Sequence, residues 1–274
     1  VVEGYMDLLS DEEILSLIDS EGEIQALKDL ERSAGDQVDF LRDNVEYPNG
    51  RFLNDGHVKT LLIHVPFQRL PNSIGNFTHL ERLKIGSTCS PLREIPESLG
   101  RLKALTHLTI RGHSLKRLPE SFGDLKSLEH LIVRSESLTC LPDSFGNLQG
   151  LKKLHLECES LEALPGSFGD LENLEWLRIR GSKIEALPES FGSLTSLKEL
   201  TIEDRPLKEL PNSFGNLKSL RELKINGTAL KSLPESFANL SALEEASLTG
   251  NQLEKLPDNI GNLQNLTYLN LGGN

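Results

Sequence analysis

Histidines, cysteines and evenly spaced serines are the residues of this 274-residue chain whose types could carry chemistry. All seven histidines fall between His57 and His155, and His107, His130 and His155 recur at nearly regular spacing. Two imidazoles on one face could share a metal ion or report pH. No carboxylate or cysteine completes a set around His107 and His130, so neither metal nor cofactor is expected there. A pH-sensitive contact or an ordinary surface remain as readings. Ser121, Ser144, Ser167, Ser190 and Ser213 each precede Phe-Gly and could pass for a row of nucleophiles. No Gly-x-Ser-x-Gly elbow is present, and a hydroxyl capping the next turn's backbone N–H explains the spacing. No Gly-x-x-x-x-Gly-Lys-Ser/Thr phosphate loop occurs either. Catalytic residues are therefore not expected, and the chain reads as no enzyme. Cys89, Cys140 and Cys158 are an odd set without Cys-x-x-Cys spacing. They argue against a disulfide framework and for a reducing, cytoplasmic setting.

The elements that must position these residues follow from charge and period. Residues 1–50 hold 14 Asp/Glu against 3 Lys/Arg, leaving 27 acids and 26 bases in the rest. Nearly all of the net charge of −12 thus sits in the first fifth, which disfavours nucleic acid as a partner. No run of ~18 apolar residues predicts a membrane span. Ser10-Asp11-Glu12-Glu13 and Ser20-Glu21-Gly22-Glu23 fit the Ser-x-x-Glu helix start. Ile14, Leu15, Leu17 and Ile18, then Ile24, Leu27 and Leu30, predict two short helices. Phe40, Leu41 and Val45 continue the apolar stripe, and the Asn-Gly and Asp-Gly turns within residues 47–63 predict a hairpin leading into the next unit. Residues 1–57 therefore read as an acidic cap. Its acids form either a solvated face or a docking surface for a basic partner.

From residue 58 the chain repeats. The proline of each Leu-Pro or Ile-Pro pair falls at 71, 96, 119, 142, 165, 188, 211, 234 and 257, so the first interval is 25 residues and the next seven are 23. A fixed period of this length with an L-x-x-L-x-L core is the pattern of a leucine-rich repeat solenoid. The expected fold is α/β, a curved parallel sheet of about ten coils, from Leu61/Ile63 to Leu269/Leu271. Phe122, Phe145, Phe168, Phe191, Phe214 and Phe237 share one slot and predict an apolar spine under the convex side. The glycine after each becomes Ala238 once, so that slot tolerates a Cβ at least there. The sequence stops just after a strand, and the expectation is a solenoid truncated at its C-terminus.

Alternation in strands aims the residues around each L-x-L pair at the concave face. One column runs Arg82, His107, His130, Lys153, Trp176, Glu199, Glu222, Glu245, Tyr268. The next runs Lys84, Thr109, Ile132, His155, Arg178, Thr201, Lys224. The third runs Gly86, Arg111, Arg134, Glu157, Arg180, Glu203, Asn226. Basic residues gather toward the N-terminal half and glutamates toward the C-terminal half. Candidate binding residues are His107, Arg111, His130, Arg134, Lys153, His155, Glu157, Trp176, Arg178, Arg180, Glu199, Glu203 and Glu222. Trp176, the single tryptophan, is either a binding hot spot or an aromatic packed on neighbouring side-chain stems. Three residues beyond the second core position, where such repeats place asparagine, stand Thr88, His113, Glu136, Glu159, Ser182, Arg205 and Thr228 before Asn251 and Asn274. Charged residues there should turn outward, because a buried unpaired charge is costly.

The coils resemble the leucine-rich repeat subclass with an LPxx[IF]GxL signature, Gly250 to Pro257 being the cleanest copy. Similar repeats occur in Ras-associated scaffolds, plant resistance receptors and prokaryotic Roco-type proteins, and the cap resembles that of the last group. The resemblance implies a binding module, and the varying columns make the leading expectation a non-enzymatic one that binds a protein partner through its concave face. The alternative is a regulatory arm of a multidomain enzyme, a GTPase or ubiquitin ligase, with its catalytic part beyond residue 274. Weak self-association between the basic concave half and the acidic cap is a third expectation.

Overall fold

The computed structural model describes residues 15, 18–34, 56–63, 68–86, 90–203 and 206–274. Helix α1 (Glu21–Ala34) is followed by the parallel strands β1 (Thr60–Ile63), β2 (Arg82–Ile85), β3 (His107–Arg111), β4 (His130–Ser135) and β5 (Lys153–Cys158). Then come β6 (Trp176–Arg180), β7 (Glu199–Glu203), β8 (Glu222–Ile225), β9 (Glu245–Ser247) and β10 (Tyr268–Asn270). They form one ten-stranded sheet in sequence order. The 23-residue coils leave no room for slippage, aligning Leu108 with Leu131 and Leu131 with Leu154, and the 25-residue coil before them still aligns Leu83 with Leu108. Because one face is buried, a one-residue slip would turn every core leucine outward. The α/β leucine-rich repeat solenoid expected from the period is the observed fold.

Opposite the sheet, each coil returns through a short 3-10 turn started by its proline. Pro119, Pro142 and Pro165 hold φ of −69°, −66° and −65° ahead of Glu120–Asp124, Asp143–Asn147 and Gly166–Asp170, close to the angle the pyrrolidine ring fixes. Phe122, Phe145, Phe168, Phe191, Phe214 and Phe237 are fully buried. Their rings stack with centroids 6.1–6.2 Å apart and planes within 5° of parallel. Each contributes about 1.5–3 kcal/mol of burial.

The serines do something other than cap the following turn: the proline that starts each 3-10 turn offers no side-chain cap, and the Ser121, Ser144 and Ser213 amides donate to the carboxylates of Glu97, Glu120 and Glu189 in the preceding coil. Ser121, Ser144, Ser167 and Ser213 each donate their hydroxyl to a carbonyl in the preceding coil, on Glu97, Glu120, Asp143 and Glu189, at 2.6–2.7 Å. They tie coil to coil, while Ser190 Oγ is buried without such a partner. The glycine after each phenylalanine makes this approach feasible. A Cβ on Gly192 would lie 2.2 Å from the Ser213 carbonyl oxygen. Ala238 escapes the clash because the next turn is altered, shrinking to Ile260–Asn262 behind Asn259 at φ −95° and ψ 14°.

Helix α1 closes the N-terminal end. Ser20 accepts the Glu23 amide on its Oγ at 3.3 Å, as a helix-start residue should. Glu23 does not return its carboxylate to Ser20; the Val58 amide donates to it instead, at 3.0 Å. The helix buries Ala26, Leu27 and Leu30 and lies on the Asn72–Asn76 turn, where Asn76 Nδ2 donates to the Gly22 carbonyl at 3.2 Å. Of the expected first helix only Leu15 and Ile18 are described. Phe40, Leu41, Val45 and residues 47–55 of the expected hairpin lie outside the described residues. At the other end, Tyr268 and Leu269 on β10 are the exposed large apolar residues among those described.

Candidate binding face

Register turns the three sequence columns into three physical rows across the concave sheet. His107 pairs with His130, His130 with Lys153, Lys153 with Trp176, Trp176 with Glu199, and Glu199 with Glu222. The third row runs Arg111, Arg134, Glu157, Arg180, Glu203 in the same register. Lys153, Arg180 and Glu199 are exposed, and the other ten candidate residues are half-buried by their neighbours. The structure thus brings all thirteen onto one continuous face.

The histidines form the aromatic part of that face. The His107 and His130 rings lie 4.4 Å apart at 41°, and His155 meets Trp176 edge-on at 6.3 Å and 85°. Thr106 Oγ1 lies 2.9 Å from His107 Nδ1. Burial, and then neighbouring cations, lower all three imidazole pKa values below 6.5: His130 and Arg82 act on His107, Lys153 on His130, and Arg134 and Arg178 on His155. All three are therefore neutral at pH 7, polar aromatic plates rather than charges. Trp176 is half-buried at the centre of this strip.

Charge is less polarised than the columns imply. Arg134 Nε lies 3.0 Å from Glu157, Arg178 lies 2.9 Å and Arg180 3.7 Å from Glu203. Arg134 and Arg180 of the third column are thus already paired within the face. Lys224 lies 3.5 Å from Glu222. Arg111, His113, Arg134, Glu136, Glu157 and Glu159 line an open depression of about 170 Å³, where the His113 ring lies against the Glu136 carboxylate. That volume is below the ~300 Å³ at which pockets for drug-sized ligands begin.

The departures from asparagine resolve into a different turn. Strands β4 and β5 run one residue longer than their neighbours, placing Ser135 and Cys158 inward and pushing Glu136 and Glu159 into solvent. Ser135 Oγ donates to the Leu115 carbonyl at 2.8 Å, and Cys158 Sγ to that of Val133 at 3.7 Å. Farther along, Asn251 Nδ2 donates to the carbonyls of Ile225 and Leu248, both at 2.8 Å, while its Oδ1 accepts the Thr228 amide at 2.9 Å. Thr88 and Arg205 lie outside the described residues, as does Cys89. Cys140 is a free, exposed thiol.

One cluster escaped the sequence reading. Glu23, His57 and His79 present ligand atoms within 4.8 Å of one another, away from the concave face. Among the described residues no helix is long and apolar enough to cross a membrane.

Comparison with known proteins bears on the whole repeat. The profile of the leucine-rich repeat region matches residues 68–160, 143–227 and 192–274. No curated protein matches the sequence. A leucine-rich repeat protein of Leptospira interrogans superposes with a TM-score of 0.70 at 25% identity over 91% of this chain. This chain spans 63% of that protein's length. The leucine-rich repeat domain of the type III effector XopL gives 0.72 at 24% identity, covering 98% of this chain and 86% of that one. A chain of the Drosophila Toll–Spatzle complex gives 0.67 at 19% identity, covering 82% of this chain and 34% of that one.

Proposed function

The chain belongs to the leucine-rich repeat family, and from that premise we propose that it is a non-enzymatic module gripping a protein partner along its concave sheet. Repeats of this family are commonly protein-interaction modules. The observation that carries the reading is the unbroken in-register strip from His107 through Trp176 to Glu222. It offers a long, gently curved surface with an aromatic centre, and its depression is too shallow to enclose a small molecule. A similar fold in the Toll–Spatzle complex accords with a protein ligand.

Neutral imidazoles beside Trp176 supply large rigid contacts of the kind that dominate interface energetics. The partner surface that fits is mixed. Acidic groups would face Arg111 and Lys153, which form no ion pair among the described residues, and basic groups would face Glu199 and Glu245. Residues 1–57 act as the cap of repeats 58–274, whose coils follow the LPxx[IF]GxL subclass.

Comparing partners recovered from source lysate by the unaltered chain, Trp176→Ala and Arg178→Glu tests the reading. Loss of the same partner from both variants is expected; equal recovery of every partner counts against the concave site.

A further inference from the structure

At the joint between helix α1 and the first coils, the Glu23 carboxylate is completely buried, yet no lysine or arginine reaches it among the described residues. Taking such a charge out of water demands a compensating cation. One oxygen is accounted for, since Oε2 accepts the Val58 amide at 3.0 Å. The other, Oε1, has no hydrogen bond. It lies 3.3 Å from His57 Nδ1, which is also buried and makes no hydrogen bond, and 3.9 Å from His79 Nδ1.

Two buried atoms 3.3 Å apart that fail to hydrogen-bond to each other share the spacing of two ligands on one ion. Ligands at ~2.0–2.1 Å from a tetrahedral metal stand about 3.3 Å apart. We propose that Glu23, His57 and His79 bind one Zn²⁺. Two imidazole nitrogens and one carboxylate oxygen suit zinc and are a poor set for calcium or magnesium, which take oxygen ligands.

The backbone delivers these groups from three separate places. Glu23 sits in the first turn of α1, His57 just before β1, and His79 between the Asn72–Asn76 turn and β2. Gly56 makes the entry of His57 feasible: it adopts φ +66°, and a Cβ there would fall 2.0 Å from Asp19 Oδ2. The Asp19 amide donates to the Gly56 carbonyl at 2.9 Å, holding this turn against the start of the helix.

The two rings now stack, with centroids 3.6 Å apart and planes 17° from parallel. Chelation therefore takes a rotation of His79, the half-exposed partner, which gives up its 3.3 Å contact with Thr78 Oγ1. The ion would fasten cap helix to coils through a position neither can supply alone. Its fourth site opens toward solvent on the His79 side.

The test uses the full chain, stripped with a chelator and titrated with Zn²⁺ by calorimetry and with Co²⁺ by visible absorption. One equivalent bound, tetrahedral cobalt bands and a rise in melting temperature are expected. His79→Ala removes a half-exposed side chain and keeps the fold, as the metal-free melting temperature would show; Glu23→Gln removes the buried charge. Each should weaken binding by more than the roughly 10–100-fold typical of losing a second-shell group, while His107→Ala leaves it unchanged. Absence of binding to the unaltered chain would overturn the site. Equal affinity in His79→Ala would overturn it too, placing the metal elsewhere.

Discussion

Along the outer wall, coils from Pro119 to Asn239 set one phenylalanine over the next at 6.1–6.2 Å. Along the inner sheet, the first row passes from His107 through Trp176 to Glu245 at positions held in the same strict register. Outside, the ring stack, the glycine that lets a neighbouring carbonyl approach and the serine that donates across coils all constrain one another. Inside, the solvent-facing positions touch little beyond their immediate neighbours. Packed volumes resist change, whereas exposed positions accept most substitutions at small cost. Identity is enforced where atoms have no room, and diversity collects where they do.

Four experiments would break or sharpen that contrast. Phe168→Ala, between Phe145 and Phe191 in the stack, should lose about 3–5 kcal/mol in denaturant unfolding. A loss below about 1 kcal/mol would mean that the wall is not a packed unit. Gly192→Ala should lose about 1–3 kcal/mol through overpacking, because its new Cβ meets the Ser213 carbonyl. The opposite change, Ala238→Gly, lies where the next turn already gives way and should stay within about 1 kcal/mol.

The smallest effect belongs to the inner face. Folding lowers the His107 and His130 pKa values below 6.5, chiefly by burial, so protons bind the unfolded chain more tightly. Both imidazoles are neutral in both states well above pH 6.5, and the histidines then contribute nothing. As pH falls from 6.5 through the lowered values, stability declines. Thermal melts of the unaltered chain and His107→Gln between pH 8 and 5 should show the variant with the shallower decline. A steeper one would contradict the assignment.

Much of the architecture was legible because the proline ruler and the L-x-L pairs report equal coil lengths, and equal lengths dictate register. Placement of the thirteen candidate side chains on one face followed from the same alternation. Three features were not legible, each for a separate reason. The direction of the serine hydroxyls is undetermined by spacing, since capping the following turn and donating to the preceding coil share the same period. The inward turn of Ser135 and Cys158 depends on β4 and β5 each gaining a residue of pairing, which neighbouring strands decide together. Glu23 reads locally as half of a helix-start pair, and its contact with Val58, 35 residues away, belongs to no local pattern.

The phenylalanine rings carry one last consequence. Their advance of 6.1–6.2 Å per coil exceeds the ~4.8 Å between adjacent parallel strands. Every coil is therefore a wedge, broad at the ring and narrow at the strand, and a pile of wedges must bend toward its thin edge. Side chains rising from the strands converge as they leave the backbone, so Trp176 stands at the bottom of a trough whose two ends lean toward each other. A slim or convex ligand can reach that floor, while a flat one is stopped by the ends.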